Sequence, residues 1–204
     1  MGTTPKVKAK QDLDLLNIVA SELQELADGN QKALIACPVH YETLTREETY
    51  KQYIFACQKI PDENKKFLIL VLMDVPEKIH IPNVRKFSIP LKNHCHSFFA
   101  QIRPNINSDY SPFKKCGFDA LGVRLKHSNK GEKGRMEILE NFPQMVSRSG
   151  IEQIFSLDVT SLSLTTTAVC SGFTLLAGNA IHAKVSRPDK VHRFLHQDLF
   201  SKML

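Results

Sequence analysis

The chain has 204 residues, 42% hydrophobic and 24% charged, with a formal charge of +6. Those values suit one soluble α/β-sized domain with a core of useful size. They exclude a membrane-spanning segment, because no apolar run approaches ~18 residues, and the polar start excludes a secretory signal. Five cysteines (Cys37, Cys57, Cys95, Cys116 and Cys170) form no CxxC pair, which points to reduced, buried thiols and a cytoplasmic, reducing compartment. The modest basic excess reads first as a solvated surface, and secondly as a footprint for an acidic partner.

Residues 1–12 are polar and basic and are expected to form a flexible leader, with 13–204 as a single domain. Leu13, Leu16, Val19, Leu23 and Leu26 recur at helical spacing, and Gly29 supplies the stop. KALIAC at 32–37 predicts a strand stopped by Pro38. Thr45-Arg46-Glu47-Glu48 is a capping-box pattern opening a helix to about Lys59, followed by a turn at 61–64. FLILVLM at 67–73 is continuously apolar, as expected of a strand covered on both faces.

The pattern at 81–94 is helical but interrupted by Pro82 and Pro90. A strand follows at 97–102, a turn-rich loop at 103–110, a short helix from Ser111-Pro112 to Cys116, and a strand at 118–125. Then come a polar loop at 126–133, a helix at 136–149 strained by Pro143, a strand at 151–157 and a Thr-rich helix at 161–171. GFTLLAGNAI at 172–181 reads as a buried strand between glycines. Arg187-Pro188-Asp189 opens a tail helix carrying Val191, Phe194, Leu195, Leu199 and Phe200. Six strand candidates alternating with helices argue for parallel strands, as a (β/α) barrel or an open doubly wound sheet.

The order and spacing of these elements resemble the EAL domain, the cyclic-di-GMP phosphodiesterase family. Phe118-Asp119-Ala120-Leu121 resembles that family's P-D-x-L-K-I-D strand. The run at 151–160 resembles its VVAEGVET strand, and 172–181 its closing G-x-x-x-x-Q-G-x-x-x-G strand. The helix at 15–28 and the stretch at 32–44 resemble the helix before the VNLS strand and that strand itself. The resemblance implies an α/β fold: an EAL-like, modified TIM-type (β/α) barrel, incomplete at its N-terminal side. It also implies bacterial cyclic-di-GMP signalling.

The family's hydrolysis relies on carboxylates, an Asn and a Lys that hold metal ions at strand ends. Aligned by spacing, the Asn falls on Pro38, and the first Glu of the LELTE strand on an apolar residue of 70–74. The paired DD falls on Gln101-Ile102, the Lys on Gly122, the following Asp on Arg124, the VVAEGVET Glu on Ser156 and the closing Gln on Ala177. No counterpart of the EAL motif occurs. Gln101, Ile102, Gly122, Ser156 and Ala177 are thus expected to line a degenerate pocket with no catalytic, metal or cofactor ligands, because Mg²⁺ and Mn²⁺ need hard oxygen donors.

Other constellations are weaker. His94-Cys95-His96 lacks the further ligands that zinc requires. No phosphate-loop, dinucleotide or nucleophile-elbow motif occurs. Asp119 and Asp158 read as cap or turn acids. Arg124, Lys126, Lys130, Lys133 and Arg135 cluster around one loop, and Lys184, Arg187, Lys190 and Arg193 in the tail. Either cluster could contact phosphates, but without interleaved aromatics nucleic acid is not expected.

The sequence therefore leads to a catalytically inactive, degenerate EAL-like domain, a regulatory module acting through a protein partner or a homodimer. Cyclic-di-GMP binding is not expected. The alternative is a non-hydrolytic sensor of cyclic-di-GMP or another nucleotide.

Overall fold

A computed structural model describes residues 4–128, 130–183 and 185. Helix α1 (Pro5–Asp28) leads into strand β1 (Ile35–His40), the short helix α2 (Tyr41–Thr45), α3 (Glu47–Gln58), the one-turn α4 (Asp62–Lys65) and β2 (Leu68–Met73). Helix α5 (Ile81–Lys92), β3 (Ser97–Gln101), α6 (Ser111–Lys115) and β4 (Ala120–Arg124) follow. The chain continues through a 3₁₀ turn (Leu125–His127) to α7 (Glu132–Val146), β5 (Gln153–Leu157), α8 (Leu162–Cys170) and β6 (Leu175–Leu176).

All six strands are parallel and lie in chain order. Each crossover returns to the neighbouring strand, which is the winding of a barrel; a doubly wound sheet would reverse its order at a switch point. β1 and β6 do not pair with each other, so the sheet is a half-barrel.

Strand alternation sorts the side chains into two layers. Cys37, Val39, Leu68, Leu70, Leu72, Phe98, Ala100, Leu121, Val123 and Ile154 join the helices in the large outer core. Ile69, Val71, Met73, Phe99, Ala120 and Phe155 form the smaller inner layer. Phe98 stacks on Phe118 in the outer layer with centroids 4.7 Å apart, and Phe99 on Phe155 in the inner one at 5.4 Å. The continuous apolar run of β2 thus reflects burial on both faces, as its sequence predicts.

Five local expectations need correction. Residues 5–12, expected to be flexible, form the first turns of α1: Pro5 sits at the helix start, where its missing N–H costs nothing. Ala9 and Asp12, both 3% exposed, extend the buried stripe of Leu16, Val19, Leu23 and Leu26. Pro38 does not stop β1. The Ile35 N–H donates to Phe67 O, so the backbone groups of the strand's odd residues point to β2 and the backbone nitrogen of Pro38 points to the free edge. An edge strand tolerates a proline there. The capping box does not form either, since Arg46 is the N-cap of α3 and the Thr45 hydroxyl donates back to Tyr41 O. Finally, the closing strand is only two residues long, and the turn expected at 61–64 is helical from Asp62. The predicted tail helix and the basic residues from Arg187 onward lie outside the described residues. Among the described residues no helix is long and apolar enough to cross a membrane.

Candidate functional site

In a parallel sheet of this winding, the C-terminal strand ends share one face, where ligands are bound. Asp74 and Asp158, which follow β2 and β5, both take the left-handed conformation, with φ of 54° and 62°. Aspartate is among the few residues that adopt it at modest cost.

At the β1–β2 end the polar groups are paired with one another. Asp12, from α1, accepts the outward-facing N–H of His40 at 3.0 Å and the Thr43 hydroxyl at 2.5 Å. Its other oxygen lies 2.7 Å from His40 Nδ1. The His40 pKa is raised, first by this hydrogen bond, with desolvation opposing it. His40 Nε2 lies 3.9 Å from Asp74 Oδ2, and Lys8 reaches Asp74 at 3.4 Å and Glu42 at 3.6 Å. One carboxylate thereby ties α1 to the free edge of the sheet.

At the β3–β6 end two cavities share Arg124 and Lys126. The larger, about 850 Å³, is bordered by Asp74, Gln101, Arg103, Ser128 and Lys130 among others. The smaller, about 560 Å³, is bordered by Arg135, Asp158, Ala177, Asn179 and His182. Here the partners run out. Gln101 Oε1, Arg124 Nε, Ser128 Oγ and Arg135 Nε are buried without a hydrogen-bond partner. Arg124 Nε lies 3.4 Å from Asp158 Oδ2, a charge contact without a hydrogen bond. Native proteins pair nearly all such groups, with protein, water or ligand.

The five predicted pocket positions do not converge. Gln101, 3% exposed, and Ile102 border the larger cavity, although Ile102 also belongs to the outer core. Ala177 borders the smaller one, and its N–H donates to Ser156 O. Gly122 lies on the inner layer beneath Phe155, where an added Cβ would sit 2.3 Å from the ring. Ser156 pairs in register with Val123 of the outer core, so its side chain faces the helices. A one-residue slip in counting back from Gly172 exchanges the two faces of a strand.

Of the weaker constellations, Asp119 accepts the Phe98 N–H at 2.9 Å and Lys92 Nζ at 2.8 Å, a structural cap. Cys95, beside His94, donates to Leu91 O, and burial pushes its thiol up to about 12. Among the described residues no three His, Cys, Asp or Glu are grouped to hold a metal ion. The loop cluster Arg124, Lys126, Lys130 and Arg135 does border the cavities. Arg103 and the Asp12–His40 pair escaped the sequence reading; the available signal was an aspartate inside the apolar stripe of α1.

Half-barrel winding, outer helices and cavities at the strand ends define the EAL-type modified barrel, and solved structures of that class match it. One is the Bacillus subtilis YkuI protein, with an EAL domain, in complex with c-di-GMP and calcium: TM-score 0.65, 13% identity, covering 99% of this chain and 50% of that one. The chain thus spans half the length of that protein. The Xanthomonas citri FimX EAL domain in complex with c-di-GMP gives TM-score 0.63 at 11% identity, covering 91% and 74%. The EAL domain of Mycobacterium smegmatis DcpA gives 0.58 at 14%, covering 83% and 76%. No family model and no curated protein matches the sequence.

Proposed function

We propose that the chain is an EAL-fold domain without phosphodiesterase activity, a regulatory module that works by binding a protein partner or a second copy of itself. The observation that carries this reading is the C-terminal half of β4. There the resemblance implies a lysine at Gly122 and a metal-binding aspartate at Arg124. The Phe155 ring occupies the space any side chain at 122 would need, with 2.3 Å left for a Cβ. Arg124, where the resemblance implies a metal-binding carboxylate, carries a guanidinium in contact with Asp158. The acids bordering the cavities are Asp74, Glu137 and Asp158, accompanied by Arg103, Arg124, Lys126, Lys130 and Arg135. That donor set does not fit divalent cations, which need several oxygen ligands free of competing positive charge. The test is incubation of the purified chain with c-di-GMP and Mn²⁺ or Mg²⁺. No linear dinucleotide is expected; chelator-sensitive turnover overturns the proposal.

A second reading, a non-hydrolytic nucleotide sensor, is favoured by the four buried polar atoms without partners around the two cavities. The c-di-GMP complexes of YkuI and the Xanthomonas FimX domain make that ligand the first to try. Isothermal titration separates the two readings: heat of binding supports the sensor, and its absence supports a module acting through protein contacts alone.

A further inference from the structure

We infer that the smaller cavity is a metal-independent phosphate site, held by the guanidinium groups of Arg124 and Arg135 with Lys126 beside them. The inference rests on the sensor reading and names its chemistry. Both arginines border this one cavity, and both have a buried Nε–H with no acceptor. A buried charged donor left unmade is costly, and a guanidinium Nε–H is best satisfied by an oxyanion. Among the described residues the only acid bordering this cavity is Asp158, which touches Arg124 without accepting a hydrogen bond. Among the described residues three cations, Arg124, Lys126 and Arg135, thus border the cavity with one carboxylate, a surplus that suits an anion. Arg135 also lies in the first turn of α7, a 15-residue helix whose N-terminal N–H groups add positive potential.

The cavity, about 560 Å³, admits a phosphate ester as well as the free ion. What the ligand must present is phosphate oxygens; a dication is not needed to bridge it to carboxylates, because arginine supplies the charge directly.

The full chain in EDTA is titrated calorimetrically with inorganic phosphate, GMP and c-di-GMP. Binding of any of these, weakened about tenfold or more by Arg124→Gln and by Arg135→Gln, is expected from the loss of one charge-assisted bond. Arg124→Lys should retain part of the affinity, and Asp158→Asn should tighten binding several-fold by removing the competing carboxylate. Binding of phosphate or GMP assigns the site to a terminal phosphate; binding of c-di-GMP alone assigns it to a phosphodiester. Circular dichroism and melting confirm that each variant is folded. No binding in all three arms overturns the site, as does binding unchanged in both glutamine variants or binding that requires a divalent cation. A turnover assay on the same samples keeps the readings apart. Hydrolysis would sink the inactivity proposal alone, binding unchanged in both glutamine variants would sink the phosphate site alone, and silent titrations without hydrolysis would sink the phosphate site together with the sensor reading.

Discussion

At the C-terminal end of β1, one buried carboxylate, Asp12, engages the His40 N–H, the His40 ring and the Thr43 hydroxyl. Beyond the C-terminal end of β4, on the same sheet, the Nε–H groups of Arg124 and of Arg135 in α7 are buried and donate no hydrogen bond, Arg124 making only a charge contact with Asp158. Both clusters are charged, and both lie where a barrel places its ligands. They differ in whether the protein completes its own hydrogen bonds. The first is closed and therefore structural, since it fastens α1 to the sheet edge. The second is open, and an unsatisfied buried donor is where an external acceptor gains most. Charge alone would not have separated them.

The largest effect expected from this contrast is on folding stability. Asp12→Ala strands two or three donors at once and should cost about 3 kcal/mol in chemical denaturation. Asp12→Asn, which keeps one acceptor, should recover part of that. Arg124→Gln should shift stability by less than about 1 kcal/mol, because its pairing with Asp158 is partly exposed. Equal losses for Asp12→Ala and Arg124→Gln would erase the distinction between a closed and an open cluster.

Next in size is the boundary between the two halves. Gly122 has no Cβ because Phe155 lies across it, stacked on Phe99. Gly122→Ala should destabilise by about 1–3 kcal/mol through overpacking. Combining it with Phe155→Leu should cost less than the sum of the two changes, a coupling that a double-mutant cycle reads directly. Additive losses would mean that the ring is not what excludes a side chain at 122.

The fold was more legible than the site. All six strand positions can be read from the sequence, most strongly β2, whose six residues are all buried; β1 and β6, at the sheet edges, are only partly buried. The continuation of β1 through Pro38 was not legible, since it depends on β1 lying at an edge with the backbone nitrogen of Pro38 pointing to that edge. Ser156 was misassigned because face is decided by a single residue of register, and the spacing back from Gly172 crosses a helix and two loops. The cations between Arg124 and Arg135 were visible as a cluster. That two of them lack acceptors was not, because satisfaction of a buried donor is a property of packing that no spacing encodes.

The smallest expected effect tests the closed cluster through pH. The His40 pKa is raised, chiefly by its hydrogen bond to Asp12, with smaller contributions from the charges of Asp12 and Asp74; desolvation and Lys8 oppose the rise. The protonated ring is therefore favoured in the folded state. Its stabilising contribution is fully present below the unfolded value near 6.5 and is lost as pH rises through the higher folded value. His94 acts in the opposite sense: burial, then Lys65, lowers its pKa, so its neutral form is favoured and stability falls as pH drops through the unfolded value. The whole-protein profile mixes the two. The difference between wild type and His40→Gln in denaturation midpoints from pH 5 to 9 isolates the clamp. That difference should shrink as pH rises past neutrality and should vanish at every pH in an Asp12→Asn background. A difference that grows with pH would mean that His40 is held neutral and that Asp12 does not fasten α1 through charge.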